Sequence, residues 1–207
     1  MEKLMKAFLC LLATLSAILG FSADNSPAIQ RLVRGNSRYM KDQSTNPDRN
    51  AFRRNEVAAK QYPFAVIVGC SDSRVPPEII FDEGIGDLFT VRVAGNVVGP
   101  LELDSIGYAT EYLGATLIVV MGHESCGAVT TVLQGDLDGI ENVAQLILPA
   151  VQGIPQNDVE AAVKANVRSV VNYLTQTTSL KGLLSKGKLE IAGAYYHLKS
   201  GFVEFLD

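Results

Sequence analysis

The sequence holds no tryptophan, two histidines and only three cysteines. Three cysteines are too few to staple a small secreted scaffold by disulfides. No Cys-x-x-Cys pair is present, which removes the usual dithiol redox site. Lysine and arginine (18) do not outnumber aspartate and glutamate (22), so the net charge is −4. A chain without cationic excess has little with which to neutralise phosphates, and nucleic-acid binding is excluded as its main role. Internal repeats and low-complexity stretches are absent. What remains is 207 residues, 47% of them hydrophobic. That is one globular domain of ordinary size.

The N-terminus stands apart. Lys3 and Lys6 precede an uncharged apolar run from Ala7 to Ala23. Small or polar residues (Gly20, Ser22, Ala23) close it before Asp24. This pattern is that of a secretory signal peptide over residues 1–23, leaving residues 24–207 as the working domain. A cut after Ser22 puts the small Gly20 at the third position back, where a cut after Ala23 puts Phe21. An uncleaved anchor is the alternative, since the run falls just short of a bilayer-spanning length. Cleavage removes Lys3, Lys6, Glu2 and Cys10, moves the net charge from −4 to −5, and leaves Cys70 and Cys126. The expected location is periplasmic or secreted, with no stable membrane association once the leader is gone.

Residues 26–41 place Ile29, Leu32, Val33 and Tyr39 between Arg31, Arg34, Arg38 and Lys41. This is an amphipathic helix with a basic face, read first as solvated and second as a subunit contact. A polar loop with Pro47 follows, then a short helix at 51–60. Residues 64–69 form a continuous apolar run, as a strand covered on both faces requires. Further strands are expected at 89–93, 116–121 and 189–196. Helices are expected at 103–113, 125–134, 140–152 and 157–177. Residues 202–206, after the Ser200-Gly201 turn, read as an antiparallel edge strand. The alternation predicts an α/β fold. Its mostly parallel central sheet has four parallel strands plus an antiparallel edge strand, is flanked by helices, and carries an N-terminal helical arm.

Sites in such sheets lie at the carboxyl ends of the strands. Cys70-Ser71-Asp72-Ser73-Arg74 follows the first strand, and Gly122-His123-Glu124-Ser125-Cys126-Gly127 follows the third. Cys70, His123 and Cys126 suit Zn²⁺ by ligand type. His123 and Cys126 are three residues apart, so one turn at a helix start can present both. The helix N-terminus there favours an anionic sulfur. Three protein ligands leave a fourth position open, which marks a catalytic rather than a structural site. A disulfide between Cys70 and Cys126 would leave His123 unexplained. Asp72 near zinc can accept a hydrogen bond from bound water or ligate the metal. Arg74 can hold that carboxylate at two points and keep it ionised.

These two segments resemble the paired motifs of the β-class carbonic anhydrases. The resemblance extends through Val91-Arg92-Val93-Ala94-Gly95-Asn96 to the C-terminal residues 193–206, and so covers about residues 26–207. It implies hydration of CO₂ to bicarbonate and a proton by hydroxide on one Zn²⁺ per chain, held by Cys70, His123 and Cys126. Asp72 would orient the water or hydroxide and Arg74 would hold Asp72. By the plant-like branch of the family, Gln61, Phe89 and Tyr108 match pocket positions, with Gly127 beside the ligands. Some bacterial members carry an inhibitory bicarbonate site built on a tryptophan. Ile67 stands at that place here, which implies an open metal position and no switching of Asp72 onto the metal. The family forms dimers, often paired further, with pockets shared across the interface. A homodimer or homotetramer is therefore expected, with Gln61 and the 26–60 helices able to serve a neighbour's site. Alternatives are a hydrolase of a CO₂ analogue such as carbon disulfide, and a non-catalytic zinc-stabilised binding protein. The second would not need Asp72 or Arg74, and both are present. His197 is read as structural or exposed rather than as a proton shuttle.

Overall fold

The computed structural model describes residues 26–206. The leader expected over 1–23 lies outside them. Five strands form one sheet: β1 (Ala65–Gly69), β2 (Leu88–Arg92), β3 (Leu117–His123), β4 (Glu190–Tyr196) and β5 (Val203–Leu206). Their order is β2-β1-β3-β4-β5. The first four run parallel, and β5 pairs antiparallel with β4. This is the α/β architecture expected from the sequence. Among the described residues, no helix is long and apolar enough to cross a membrane.

The central strands are buried on both faces, and their sequences say why. Every residue of β1 and β3 is buried, with β-branched side chains dominating. Alternate positions feed two cores. One face carries Ile67, Val119 and Met121. It packs on α1 (Pro27–Met40), α5 (Gly127–Gln134) and α6 (Glu141–Val151) through Leu32, Val129 and Ile147. The other face carries Val66, Val68, Ile118 and Val120. It packs on α4 (Pro100–Gly107), α7 (Val159–Gln176) and α8 (Thr178–Leu184) through Ile106, Val170, Leu174 and Leu180. Each such side chain removed from water stabilises the fold by about 1.5–3 kcal/mol.

Two short helices escape the sequence reading. They are α8 and the single turn α3 (Pro77–Ile80), both too short for a periodic pattern to show. The helix expected at 103–113 starts earlier, at Pro100, and ends in a π-turn over Tyr108–Tyr112, where the Leu113 amide donates to the Tyr108 carbonyl. The helix expected at 51–60 is α2 (Ala51–Val57), capped by the Asn50 side chain.

The arm lies against its own chain. A β-carbon on Gly35 would stand 1.7 Å from the Phe81 carbonyl oxygen, so only glycine lets α1 cross there. The buried Asn36 donates to the Ile80 and Gly201 carbonyls and accepts from the Val203 amide. The basic face of α1 is not simply solvated: Arg31 pairs with Glu83 and Asp87, and Arg38 with Asp82.

Candidate metal centre

Register brings the motifs together. Gly69 at the end of β1 is level with Arg92 on β2 and Met121 on β3. The residue after β1 is Cys70, and the last residue of β3 is His123. From there the chain turns through Ser125, which has φ 53°, and starts α5 with Cys126 at its N-cap. The loop is tied to the neighbouring strand: the Glu124 amide donates to the Tyr196 carbonyl at 2.8 Å, and Glu124 Oε2 accepts from the Leu198 amide at 2.9 Å.

The Cys70 and Cys126 sulfurs, both buried, lie 4.0 Å apart, and both cysteines are free. With one His123 ring nitrogen they form a group whose ligand atoms all lie within 4.8 Å of one another. Two sulfurs at tetrahedral positions about zinc, each near 2.3 Å from it, would stand about 3.8 Å apart. His123 is 1% exposed. Its Nδ1 sits 2.9 Å from the Glu124 carbonyl oxygen, which fixes the proton on Nδ1, and its Nε2 has no partner. A buried imidazole nitrogen left with a free lone pair beside two thiols could hold a metal ion, by geometry as well as by type. The residues fit Zn²⁺.

The two thiols are not equivalent. The Cys70 thiol is pushed well below its ordinary value, first by the hydrogen bond with Cys126, then by His123 and by the Asp72 and Gly95 amides, against the opposing effect of burial. Those amides stand 3.4 and 3.3 Å from Cys70 Sγ. The Cys126 thiol is pushed up, first by that shared bond and then by burial, while the Val129 and Ala128 amides at the start of α5 pull it down. Two backbone amides favour the anion at Cys70 Sγ, and both thiols give up their protons when a cation takes the protons' place.

Asp72 and Arg74 form the expected pair. Arg74 Nε and Nη2 donate to Asp72 Oδ1 and Oδ2 at 2.9 and 2.6 Å, and the Arg74 amide adds a third bond at 2.9 Å. The Arg74 side-chain bonds hold the Asp72 carboxyl down at about 2. Asp72 Oδ2 lies 3.9 Å from His123 Nε2, beside the ligand group rather than within it. Gly127 is exposed, and a β-carbon there would meet nothing within 4 Å.

The other pocket candidates are not gathered here within one chain. Phe89 sits three residues before the Arg92 end of β2, about 10 Å along the strand. Its ring is 6.4 Å from that of Tyr108, which stacks at 5.6 Å on Tyr112. Tyr108 is 49% exposed and Gln61 is exposed. His197 contacts Glu204, Tyr195 and Phe202 instead.

Sequence reasoning passed over Arg92. Its guanidinium donates to the Cys70 and Asp72 carbonyls at 2.9 and 2.6 Å and clamps the loop that carries both. The available signal was a charge at the carboxyl end of an apolar strand.

The comparisons with known proteins agree with this geometry. The family model described as "Carbonic anhydrase" matches residues 65–203. The carbonic anhydrase of Mycolicibacterium smegmatis is 36% identical over 188 residues, covering 86% of this chain and 91% of its own. Carbonic anhydrase 2 of Mycobacterium tuberculosis is 37% identical over 185 residues, with coverages of 84% and 89%. Among solved structures, the β-carbonic anhydrase of Coccomyxa superposes with a TM-score of 0.67 at 25% identity, covering 89% of this chain and 87% of that one. The chain belongs to the carbonic anhydrase family, in its β class.

Proposed function

We propose that this protein catalyses the reversible hydration of CO₂ to bicarbonate and a proton, with one Zn²⁺ held by Cys70, His123 and Cys126. The observation that carries this reading is the convergence of two thiols and one free imidazole nitrogen within 4.8 Å, beside a carboxylate pinned by Arg74. When bound, zinc supplies a Lewis acid that brings the pKa of water from 15.7 to about 7.

The chain's own residues do the rest. Asp72 stays ionised at every pH where hydration is measured. It is therefore a hydrogen-bond acceptor only, and it orients a water by taking one of its protons in a hydrogen bond. Arg74 holds both carboxylate oxygens and so keeps Asp72 from turning onto the metal. Ile67 is fully buried in β1, and by resemblance to the family it takes the place that a tryptophan-based bicarbonate site uses, which argues for an open metal position. Gly127 leaves room for a small apolar substrate at the start of α5.

Gln61, Phe89 and Tyr108 serve the site of a second copy, and the protein works as a homodimer or a pair of dimers. The support is the aromatic surface of Phe89, Tyr108 and Tyr112, the last 76% exposed, which water covers poorly. Residues 1–23 act as a leader for export, supported by Lys3 and Lys6 ahead of the uncharged run.

Stopped-flow CO₂ hydration by the zinc-loaded protein tests the reading, with Cys70→Ser as control. Fast turnover that disappears in the control and on chelation supports it. A folded, zinc-replete protein without hydration would refute it, and carbon disulfide would be the next substrate to assay.

A further inference from the structure

Asn166 lies on α7, 96 residues along the chain from Cys70, and is completely buried. Val163 and Val167 beside it, and Val170 one turn on, continue an apolar stripe, so the asparagine interrupts a core face. Its Nδ2 donates to the Gly95 carbonyl oxygen at 2.8 Å, while its Oδ1 has no partner. Asn36, the buried asparagine of α1, makes three hydrogen bonds. A buried amide that makes so few bonds costs stability, and an apolar side chain of the same branched outline, such as the larger leucine, leaves no polar atom unpaired. Stability alone does not account for Asn166.

Its single bond leads to the metal centre. Gly95 has φ 69° and sits in the tight turn Ala94–Asn96, between β2 and the ligand group. A β-carbon on Gly95 would stand 2.7 Å from Ile147 Cδ1. Asn96 follows with φ 47°, also fully buried. Glycine takes this conformation freely, but Asn96 in the left-handed region directly after it is a costlier one that needs outside support. The product of that arrangement is one donor: the Gly95 amide points at Cys70 Sγ, 3.3 Å away. Its carbonyl, on the other side of the residue, is the atom Asn166 holds.

We propose that Asn166 is a positioning residue for the metal centre. Through Gly95 it fixes the amide that hydrogen-bonds the Cys70 sulfur, and so sets how tightly that thiolate binds the metal and how much electron density it donates. This rests on the zinc reading given above. An N–H bond to a thiolate stabilises the anion and withdraws charge from it. Partners one bond beyond the ligands typically change metal affinity about 10–100-fold when lost.

The test compares the full chain, Asn166→Leu and Leu174→Ala, the last being a core truncation on the same helix two turns further from Gly95. Zn²⁺ affinity is measured against a chromophoric chelator. The thiolate-to-metal charge-transfer band is recorded with Co²⁺. Thermal unfolding is followed without metal. For Asn166→Leu the expected result is Zn²⁺ binding weaker by about tenfold or more, a displaced Co²⁺ band, and an unfolding midpoint equal to wild type or above it. Leu174→Ala should lower the midpoint and leave the band in place. Unchanged affinity and band in Asn166→Leu would overturn the proposal, as would equal changes in both variants. If Asn166→Leu does not fold, Asn166→Ala replaces it. Failure of both to fold, while Leu174→Ala folds and binds metal, makes Asn166 a residue of the general fold and also overturns the proposal. A wild-type chain that binds no Zn²⁺ would instead sink the zinc reading itself.

Discussion

Asp82→Asn isolates the charge that binds the N-terminal arm to the domain. Asp82 is fully buried and lies at φ 47°, a conformation that asparagine adopts as readily as aspartate, so the substitution leaves the backbone unstrained. The carboxylate accepts from Arg38 Nε at 2.6 Å, from the Thr45 amide and hydroxyl at 2.9 and 3.0 Å, and from the Asn46 amide at 2.9 Å. Burial works against the charge, but Arg38 and the Thr45 and Asn46 donors outweigh it and hold the group at about 2. A carboxyl moved from 3.9 to 2.0 carries about 2.6 kcal/mol of stability at neutral pH. Breaking a buried pair costs about 3–5 kcal/mol. Arg38 is a third exposed and can turn to water, which discounts that range toward the first figure. The expected loss is about 2–3 kcal/mol. With a urea slope near 2 kcal/mol/M, the midpoint should fall by about 1 M at fixed protein concentration and unchanged slope. The folded value is depressed, so this stability is present above the unfolded value near 4 and is lost as pH falls toward about 2. The gap between wild type and variant should therefore close from pH ~5 to pH ~2. A midpoint shift below about 0.3 M, or a gap that stays constant with pH, would refute the reasoning.

Three further outcomes follow from the site. Arg74→Ala removes both side-chain bonds to Asp72 and leaves only the amide; kcat/KM for CO₂ hydration should fall about 10–100-fold while Zn²⁺ content, read by atomic absorption, stays at one per chain. Asp72→Asn should lower kcat/KM at least as far, yet the pH profile above ~5 should keep its midpoint, because Asp72 titrates near 2 and not in that range. Gly122→Ala places a β-carbon 2.6 Å from Val163 Cγ1 and 2.7 Å from Val167 Cγ2, next to His123; overpacking of this kind costs about 1–3 kcal/mol, measured as a lowered urea midpoint.

The ligand group was legible because its chemistry is local. Cys70 directly follows a strand that its apolar run announces, and His123 and Cys126 lie three apart at the next strand end. The mostly parallel sheet was legible for the same reason, since strands apolar on both faces need cover on both sides; the strand order was not read from the sequence. The basic face of α1 was misjudged because a sequence shows a charge but not its partner: Arg31 and Arg38 find Glu83 and Asp82, 52 and 44 residues away. Asn166 was passed over although its signal is visible, an amide set among Val163, Val167 and Val170. Its partner is a backbone carbonyl, which carries no side-chain pattern at all. Gln61, Phe89 and Tyr108 came from resemblance alone, and one chain does not bring them to the ligands.

The distribution of unmet polarity carries the last step. Buried polar atoms are almost always paired, because an unpaired one forfeits its bonds to water. Far from the site, this protein obeys that rule: Asn36 and Asp82 are buried, and each makes several bonds. The buried side-chain atoms without a partner among the described residues are His123 Nε2, Asn166 Oδ1 and both amide atoms of Asn96. His123 is one of the candidate ligands, Asn96 lies in the turn beside them, and Asn166 on α7 donates to that turn at the Gly95 carbonyl. Asn96 Oδ1 faces the space beside Gly122, 3.6 Å from where a β-carbon would stand, one residue before His123. A sequence selected only for stability would fill these positions with apolar side chains, as it has filled the rest of β1 and β3 and the other buried positions of α7. The fold instead concentrates its polar cost around Cys70, His123 and Cys126, where two thiols and a free imidazole lone pair could hold a cation and an amide is directed at one of the sulfurs.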